Sequence, residues 1–200
     1  MNDRFYDQKK EKQDLMINGA VEIIAKNGYK HASTDEMVAV SGVSKGLWFH
    51  YFGNKKGLYE FVVHYAVKYA LLELDMSINA DESDYFAVWK DIAMAYIKLM
   101  DKYPYLPLLL VTMYDEKDEM AKELIRDILD GFKEFIVTKL SLASKTFMSR
   151  VKDVTTLNNI IMAALKELIR EYYTEPIFRK ESFLDEFYTE LDLLGSLARN

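Results

Sequence analysis

The chain has 200 residues, of which 50% are hydrophobic and 29% charged, which predicts one large globular domain or a small domain joined to a bigger one. It has no cysteine, which excludes disulfides and thiolate metal sites. The net charge of −6 argues against bulk attraction to nucleic acid, but residues 1–60 hold 9 Lys and Arg against 8 Asp and Glu, so the acidity lies further along the chain. Any DNA binding must therefore come from local placement of charge.

The N-terminal stretch MNDRFYDQKKEKQ is polar and has no apolar core of the kind that a signal peptide needs. No uninterrupted apolar run approaches the ~20 residues that span a bilayer. We therefore expect a cytoplasmic protein with no membrane partner.

Helical signals open the chain. Apolar residues recur at helical spacing up to Asn27-Gly28, where Gly28 suits a left-handed helix end; they are Leu15, Ile17, Val21, Ile24 and Ala25. The run Ser33-Thr34-Asp35-Glu36 is a capping box and predicts a helix from about Thr34. That helix is short because Ser41-Gly42 interrupts it. A second short helix is predicted from near Ser44 to Gly53, and Asn54 can cap a fourth that runs to about Asn79.

The rest of the chain predicts amphipathic helices over about 84–102, within 105–114, and over 117–142, 153–174 and 180–198, with a loop at 143–152 and no convincing strand. The fold class is therefore all-α. The helix at 153–174 carries a heptad-like stripe that starts at Val154 and is wide enough to cover more than one face. Either the protein's own core covers both faces, or a second subunit covers one; the pattern leaves both open.

A short helix, a turn at Ser41-Gly42-Val43 and a second short helix form the helix-turn-helix plan. Trp48 and Phe52 are four residues apart, so they share a face that can pack on the preceding helix. Ser44, Leu47 and Tyr51 share another face, flanked by Lys45, Phe49 and His50. Large side chains left pointing outward suit a surface that a partner covers, and a DNA major groove offers phosphates and thymine methyl groups to such side chains.

The run GVSKGLWFHYF at residues 42–52, with Thr34 before it and Asn54-Lys55 after it, resembles the tetracycline-repressor (TetR) family of bacterial transcription regulators. The resemblance covers about residues 10–65. It implies an N-terminal three-helix helix-turn-helix DNA-binding domain (1–54) joined to a larger helical domain (55–200) that binds an effector and forms a homodimer through its last two helices. Most of the family are repressors, so we expect a repressor that binds a double-stranded DNA operator.

The resemblance also implies the DNA-contacting residues: Thr34, Ser44, Lys45, Gly46, Leu47, Phe49, His50, Tyr51 and Lys55. Thr34 and Lys55 would hold phosphates, Gly46 would allow close approach of the helix to DNA, and Leu47 would face the bases. Two positions depart from the family pattern. Phe49 stands where tyrosine is usual, which removes a hydroxyl. Gly57 lies in the first turn of the fourth helix, where it costs about 1 kcal/mol against Ala.

An effector pocket is predicted from the abundance of aromatic and Met side chains, which suit an elongated or flat, largely apolar or aromatic ligand. The candidates are Tyr65, Tyr69, Trp89, Met94, Tyr96, Met113, Tyr114, Phe132 and Phe135, although such residues at helical spacing more often form core. The candidate dimer interface is Leu157, Ile161, Ala164, Leu168, Phe187, Leu191 and Leu194.

Two other classes of protein have less support in the sequence. The three histidines, His31, His50 and His64, have no metal-ligand spacing, and the sequence has no Gly-rich phosphate loop or nucleophile motif. We therefore predict no enzyme, no catalytic residue, no metal and no cofactor. A helical small-molecule-binding or carrier protein without DNA-binding function is the alternative.

Overall fold

The computed structural model describes residues 3–79, 84–143 and 153–199. Within these residues the chain is all-α, as the sequence predicts, and contains nine α-helices: α1 (Lys10–His31), α2 (Thr34–Ser41), α3 (Lys45–Phe52), α4 (Lys55–Ser77), α5 (Tyr85–Leu99), α6 (Leu106–Thr112), α7 (Glu119–Ala143), α8 (Val154–Thr174) and α9 (Lys180–Arg199). The predicted loop at 143–152 lies, apart from Ala143, outside the described residues. Among the described helices none is both long and apolar enough to cross a membrane.

Helix α1 is interrupted at the predicted glycine. Gly28 has φ 66° and ψ 177°, outside the helical region, so the helix is kinked there and ends with a further turn up to His31. Ile17, Val21, Ile24 and Ala25 are buried as predicted, but Leu15 is 52% exposed. Leu15 shares the helical spacing of these residues but not their burial, because the buried stripe of α1 passes through Met16 instead.

Local capping explains the short helices that follow. The Ser33 hydroxyl accepts a hydrogen bond from the Asp35 amide at 3.2 Å and so starts α2. Gly42 ends α2 with φ 67°, a left-handed conformation that favours glycine. Asn54 caps α4 as predicted, since its side-chain oxygen accepts from the Gly57 amide at 2.9 Å.

A steric constraint explains the glycine at position 57, although glycine is unfavourable in a helix. A Cβ atom at Gly57 would lie 2.4 Å from the carbonyl oxygen of Phe52, a backbone atom that cannot move aside. The tight passage from α3 into α4 therefore requires glycine in the first turn of α4.

The described residues up to Tyr69, together with Leu99–Asp130, form one compact unit. In it α1 packs on both α2 and α6. An aromatic cluster closes this unit near its N-terminus, where the buried Phe5 ring lies 5.5 Å from the Phe52 ring and 4.9 Å from the Phe61 ring. Burial of large aromatic side chains is a major source of stability in a small helical domain.

Ala70–Lys98 and the described residues from Gly131 onward form a second compact unit, in which α8 packs on α9. The Asp153 carboxylate caps α8 by accepting from the Thr156 amide at 2.9 Å. The buried Tyr85 hydroxyl donates to the Asn158 side chain, and burial raises the pKa of Tyr85 to about 12. The core of this unit includes Trp89, Phe132, Ile161, Phe183, Phe187 and Leu191.

Candidate nucleic-acid interface

Helix α3 presents one side to the core of the first unit and the other to solvent. The Trp48 side chain is 1% exposed, and its indole nitrogen donates to the carbonyl oxygen of Val43 at 3.2 Å. Phe52 is also buried, and its ring lies 5.9 Å from that of Trp48. The predicted inward face of α3 is therefore confirmed, and the indole also holds the turn that precedes the helix.

The opposite side of α3 is open. Ser44, Lys45, Gly46, Phe49 and His50 are exposed, and Leu47 is half-exposed. A Cβ atom added at Gly46 would meet no atom within 4 Å, so nothing in the described part of the chain requires glycine there. The Ser44 side chain precedes α3 but makes no capping hydrogen bond to it. This side therefore has the small residues and hydroxyl that would let a helix approach DNA closely.

Tyr51 does not point outward as the helical spacing had suggested. The residue is 5% exposed, and its ring contacts the Phe5 ring edge-on at 5.9 Å. Phe5 reaches this position from a 3₁₀ turn at Asp3–Phe5 that the helical spacing does not predict. The expectation of an outward Tyr51 was wrong because an element from before α1 covers it, and only its small exposed part is left for DNA.

Two lysines of the predicted interface already have partners within the chain. Lys45 Nζ lies 2.7 Å from an oxygen of Asp35 in the first turn of α2, beside the half-exposed Thr34. Lys55 Nζ donates to the carbonyl oxygen of Lys30 at 3.0 Å and lies 5.0 Å from the centre of the Tyr29 ring. An ammonium group has three donors, so each lysine keeps donors for a phosphate. Asp35 was seen in the sequence only as part of a cap, and Tyr29 was not singled out.

The predicted pocket residues are divided between the two units. Tyr65, Tyr69, Met113 and Tyr114 belong to the first unit, and the remaining five belong to the second. Trp89, Tyr96, Met113 and Phe132 are buried, whereas Tyr65, Tyr69, Met94, Tyr114 and Phe135 are partly exposed. Burial raises the pKa of Tyr114 to about 12. The role of these nine residues in binding an effector stays a prediction.

Tyr65 and Tyr69 take part in a polar cluster of the first unit. The buried Tyr103 hydroxyl donates to an oxygen of Asp14 at 2.9 Å and lies 2.6 Å from the Tyr65 hydroxyl. The Tyr69 ring contacts the Tyr103 ring edge-on at 5.0 Å. Lys102 adds a charge contact to Asp14 at 3.5 Å. Tyr103 and Asp14 were not recognised in the sequence because their contact joins distant parts of the chain.

Four of the seven predicted dimer residues are buried within the single chain: Ile161, Leu168, Phe187 and Leu191. These four serve the core that α8 and α9 share, which is the intramolecular alternative that the stripe had left open. Leu157, Ala164 and Leu194 are half-exposed, and their role in an interface stays a prediction.

Comparison with known proteins adds independent evidence. Residues 16–62 match the sequence model of the bacterial regulatory proteins, tetR family. None of the curated protein sequences is significantly similar to the chain. Similar solved structures exist: the fatty acid degradation regulator FadR from Bacillus halodurans has a TM-score of 0.69 and 18% identity, and the match covers 92% of this chain and 96% of that one.

Two further solved structures agree. The TetR family transcriptional regulator PfmR from Thermus thermophilus has a TM-score of 0.62 and 18% identity, with 88% of this chain and 96% of that chain covered. A proposed fatty acid metabolism regulator from Clostridium perfringens has a TM-score of 0.62 and 20% identity, with the same coverages of 88% and 96%. At these identities the solved structures establish the fold, and the sequence match at 16–62 establishes the helix-turn-helix domain. Residues 16–62 therefore match the tetR family of bacterial regulatory proteins in sequence, and the chain has the fold of TetR family transcriptional regulators of known structure.

Proposed function

We propose that the protein is a cytoplasmic repressor that binds a palindromic operator as a homodimer and leaves it when a small, largely apolar effector binds. The DNA-binding domain is proposed to be residues 1–54, and the effector-binding and dimerisation domain residues 55–200. The observation that carries the proposal is the open side of α3, where Ser44, Lys45, Gly46 and His50 are exposed while Trp48 anchors the helix from behind.

Each exposed group on this side has a chemical use against a duplex. The start of α3, with the Ser44 hydroxyl and the Lys45 ammonium, suits phosphate oxygens or base edges. Leu47 suits a thymine methyl group, and His50 can donate to a phosphate or a base. Thr34 at the start of α2 and Lys55 at the start of α4 flank α3 in sequence and would hold the backbone on either side.

A homodimer would place two such helices against successive major grooves, which are roughly 34 Å apart along the duplex. Three large apolar residues on the last two helices support this part of the proposal. Ile160 on α8 is 49% exposed, and Leu193 and Leu197 on α9 are 60% and 65% exposed. Leu193 and Leu197 are four residues apart, so they share one face of α9, and a second copy of the chain would cover them.

The effector is proposed to be elongated and apolar, of the chemical kind of an acyl chain. The abundance of aromatic and Met side chains supports an apolar ligand. Two proteins of similar fold carry names that refer to fatty acid degradation and fatty acid metabolism, which adds support for the acyl class. The effector would weaken DNA binding by its preference for a conformer whose recognition helices do not match the grooves, a coupling of typically ~1–3 kcal/mol.

Selection from a random duplex library with the purified protein, at two salt concentrations, tests the proposal. We expect an enriched palindrome with two half-sites and an affinity that falls as salt rises. The selected duplex is then titrated with long-chain acyl compounds, which should release the protein. Folded protein that enriches no sequence and binds no duplex at low salt would refute the repressor and would favour the carrier protein. Enrichment without release by acyl compounds would refute only the effector class.

A further inference from the structure

A carboxylate from a distant part of the chain is hydrogen-bonded to the last turn of α1. The kink at Gly28 separates this turn from the rest of α1 and leaves the Tyr29 amide in need of an acceptor. Glu116 Oε2 accepts from that amide at 2.8 Å. The same oxygen lies 3.5 Å from the place where a Cβ atom of Gly28 would be, so the carboxylate sits directly against the kink.

Glu116 makes three further hydrogen bonds. Its Oε2 accepts from the hydroxyl of the buried Tyr59 on α4 at 3.3 Å. Its Oε1 accepts from the amides of Lys117 and Asp118, each at 2.9 Å, just before α7 begins. One carboxylate therefore joins three segments, namely the end of α1, the first half of α4 and the start of α7. Hydrogen bonds to an ionised acceptor are among the stronger ones in proteins.

Lys55 contacts the same turn. The Lys30 carbonyl accepts from Lys55 Nζ at 3.0 Å, and that ammonium lies over the Tyr29 ring at 5.0 Å. The Tyr29 ring in turn contacts the Tyr59 ring edge-on at 5.0 Å. The turn that directs Lys55 is thus fixed on its amide side by Glu116 and on its ring side by Tyr59.

We propose that Glu116 is a positioning residue for DNA binding, which holds the last turn of α1 so that Lys55 keeps its ammonium directed at a phosphate. The proposal rests on the proposed DNA-binding function and adds to it a residue 61 positions away from the lysine through which it acts. In this proposal Glu116 itself makes no contact with DNA. Glu116 affects DNA binding through Tyr29 and Lys30. A double-mutant cycle with Lys55 can distinguish this effect from a change in general stability.

The test uses the full chain, a fluorescent duplex of mixed sequence, and fluorescence anisotropy over a series of salt concentrations. A phosphate contact does not depend on base sequence, so no operator is required. Glu116→Gln leaves one acceptor oxygen in place of two. Glu119→Gln is the matched control, because Glu119 lies only three residues further along the chain. The substitution removes the same charge from an exposed side chain that pairs with Lys122. Each variant is also made in a Lys55→Ala background, and its thermal unfolding is recorded.

We expect Glu116→Gln to weaken DNA binding several-fold and to lower the magnitude of the logarithmic salt slope by about 0.9, which is one phosphate contact. Lys55→Ala should do the same, and Glu116→Gln should add nothing to it. Glu119→Gln should leave the slope unchanged. Should Glu116→Gln not fold, Tyr59→Phe takes its place, since it removes a single hydrogen bond and keeps the ring against Tyr29; a smaller loss, again absent in the Lys55→Ala background, is then expected.

Equal weakening in the presence and absence of Lys55, or a salt slope that Glu116→Gln leaves unchanged, would overturn the positioning role and assign Glu116 to stability alone. Wild-type protein that binds no duplex at low salt would refute the proposed function itself. The two failures are distinct, because the first is seen only where the wild type binds DNA.

Discussion

Tyr103→Phe removes one oxygen from the centre of the polar cluster in the first unit. The residue is fully buried. Its hydroxyl donates to Asp14 at 2.9 Å and pairs with the Tyr65 hydroxyl at 2.6 Å. The ring contacts with Tyr65 and Tyr69 do not involve this oxygen and should survive the change. The substitution therefore tests the hydrogen bonds with little change in packing.

The expected cost follows from the partners that remain. A hydrogen bond to a charged group contributes about 1.5–3 kcal/mol. Asp14 keeps its contacts with Lys10 at 3.3 Å and Lys102 at 3.5 Å, so it is not left unpaired. The Tyr65 hydroxyl keeps the Lys10 ammonium at 3.5 Å and belongs to a partly exposed residue. We therefore expect the free energy of unfolding to fall by about 2 kcal/mol, near the middle of that range.

Urea unfolding followed by circular dichroism, at one fixed protein concentration, measures this change. Tyr188→Phe is the matched control. Within the described residues the Tyr188 hydroxyl makes no hydrogen bond, while Lys90 lies over its ring, so its removal should cost less than about 0.5 kcal/mol. Tyr103→Phe that is no less stable than Tyr188→Phe would refute the reasoning, since it would mean that the buried cluster contributes no net stability.

Three further changes have defined outcomes. Gly57→Ala should lower the melting temperature, because its Cβ would meet the Phe52 carbonyl oxygen at 2.4 Å. Gly131→Ala is the control and should stabilise the protein by about 0.5–1 kcal/mol, because a Cβ there would meet no atom within 4 Å. Similar changes in the melting temperature of the two variants would contradict this. Asp35→Asn should release Lys45 and tighten binding to a mixed-sequence duplex by up to about fivefold, the value of an exposed ion pair of at most ~1 kcal/mol; an equal gain in a Lys45→Ala background would disprove the mechanism. Burial raises the pKa of Tyr59, Tyr85 and Tyr103 above the ordinary 10.0, so the unfolded chain loses these three protons at a lower pH than the folded chain does. The free energy of unfolding should therefore keep its full value below pH 10. Above pH 10 it should fall by up to about 4 kcal/mol per pH unit for the three residues together. Urea unfolding at several pH values checks this, and a flat profile between pH 10 and 11 would show that these phenols ionise freely in the folded protein.

The helix-turn-helix could be predicted in detail because local signals specify it. The cap at Ser33, the left-handed Gly42 and the cap at Asn54 each act within a few residues of the backbone groups that they satisfy. Helical spacing alone also places Trp48 and Phe52 on one face of α3. These features depend only on neighbouring residues, so they can be predicted from the sequence without knowing how the rest of the chain folds.

Faces that are covered by distant segments could not be predicted in the same way. Spacing groups Tyr51 with Ser44 and Leu47, on the face that was expected to point outward, yet Phe5 covers it. Ile161 and Leu168 belong to a stripe that could pack on its own chain or on another, and their burial against the second unit's core decides for the first. Periodicity tells which residues share a face, but not which element lies on that face.

The glycine at 57 shows a second kind of limit on prediction from the sequence. Helix propensity marks it as a cost of about 1 kcal/mol, whereas the backbone at Phe52 makes it a requirement. The sign of its effect depends on how closely one turn passes another, and that distance is a tertiary property. A residue that breaks a local rule is therefore a useful pointer to a tight approach of backbone segments.

The same distinction applies to the candidate interface itself. The residues that would contact DNA lie within 22 positions of one another, from Thr34 to Lys55, and can be read as one motif. The group that would direct Lys55 is Glu116, whose bond to the Tyr29 amide spans 87 positions. A contact residue is constrained by the chemistry of DNA and so recurs in a recognisable pattern. A positioning residue is constrained only by the backbone it must hold, and any acceptor placed at the kink would satisfy that need. Long-range positioning residues are therefore the part of such a site for which the structure is indispensable.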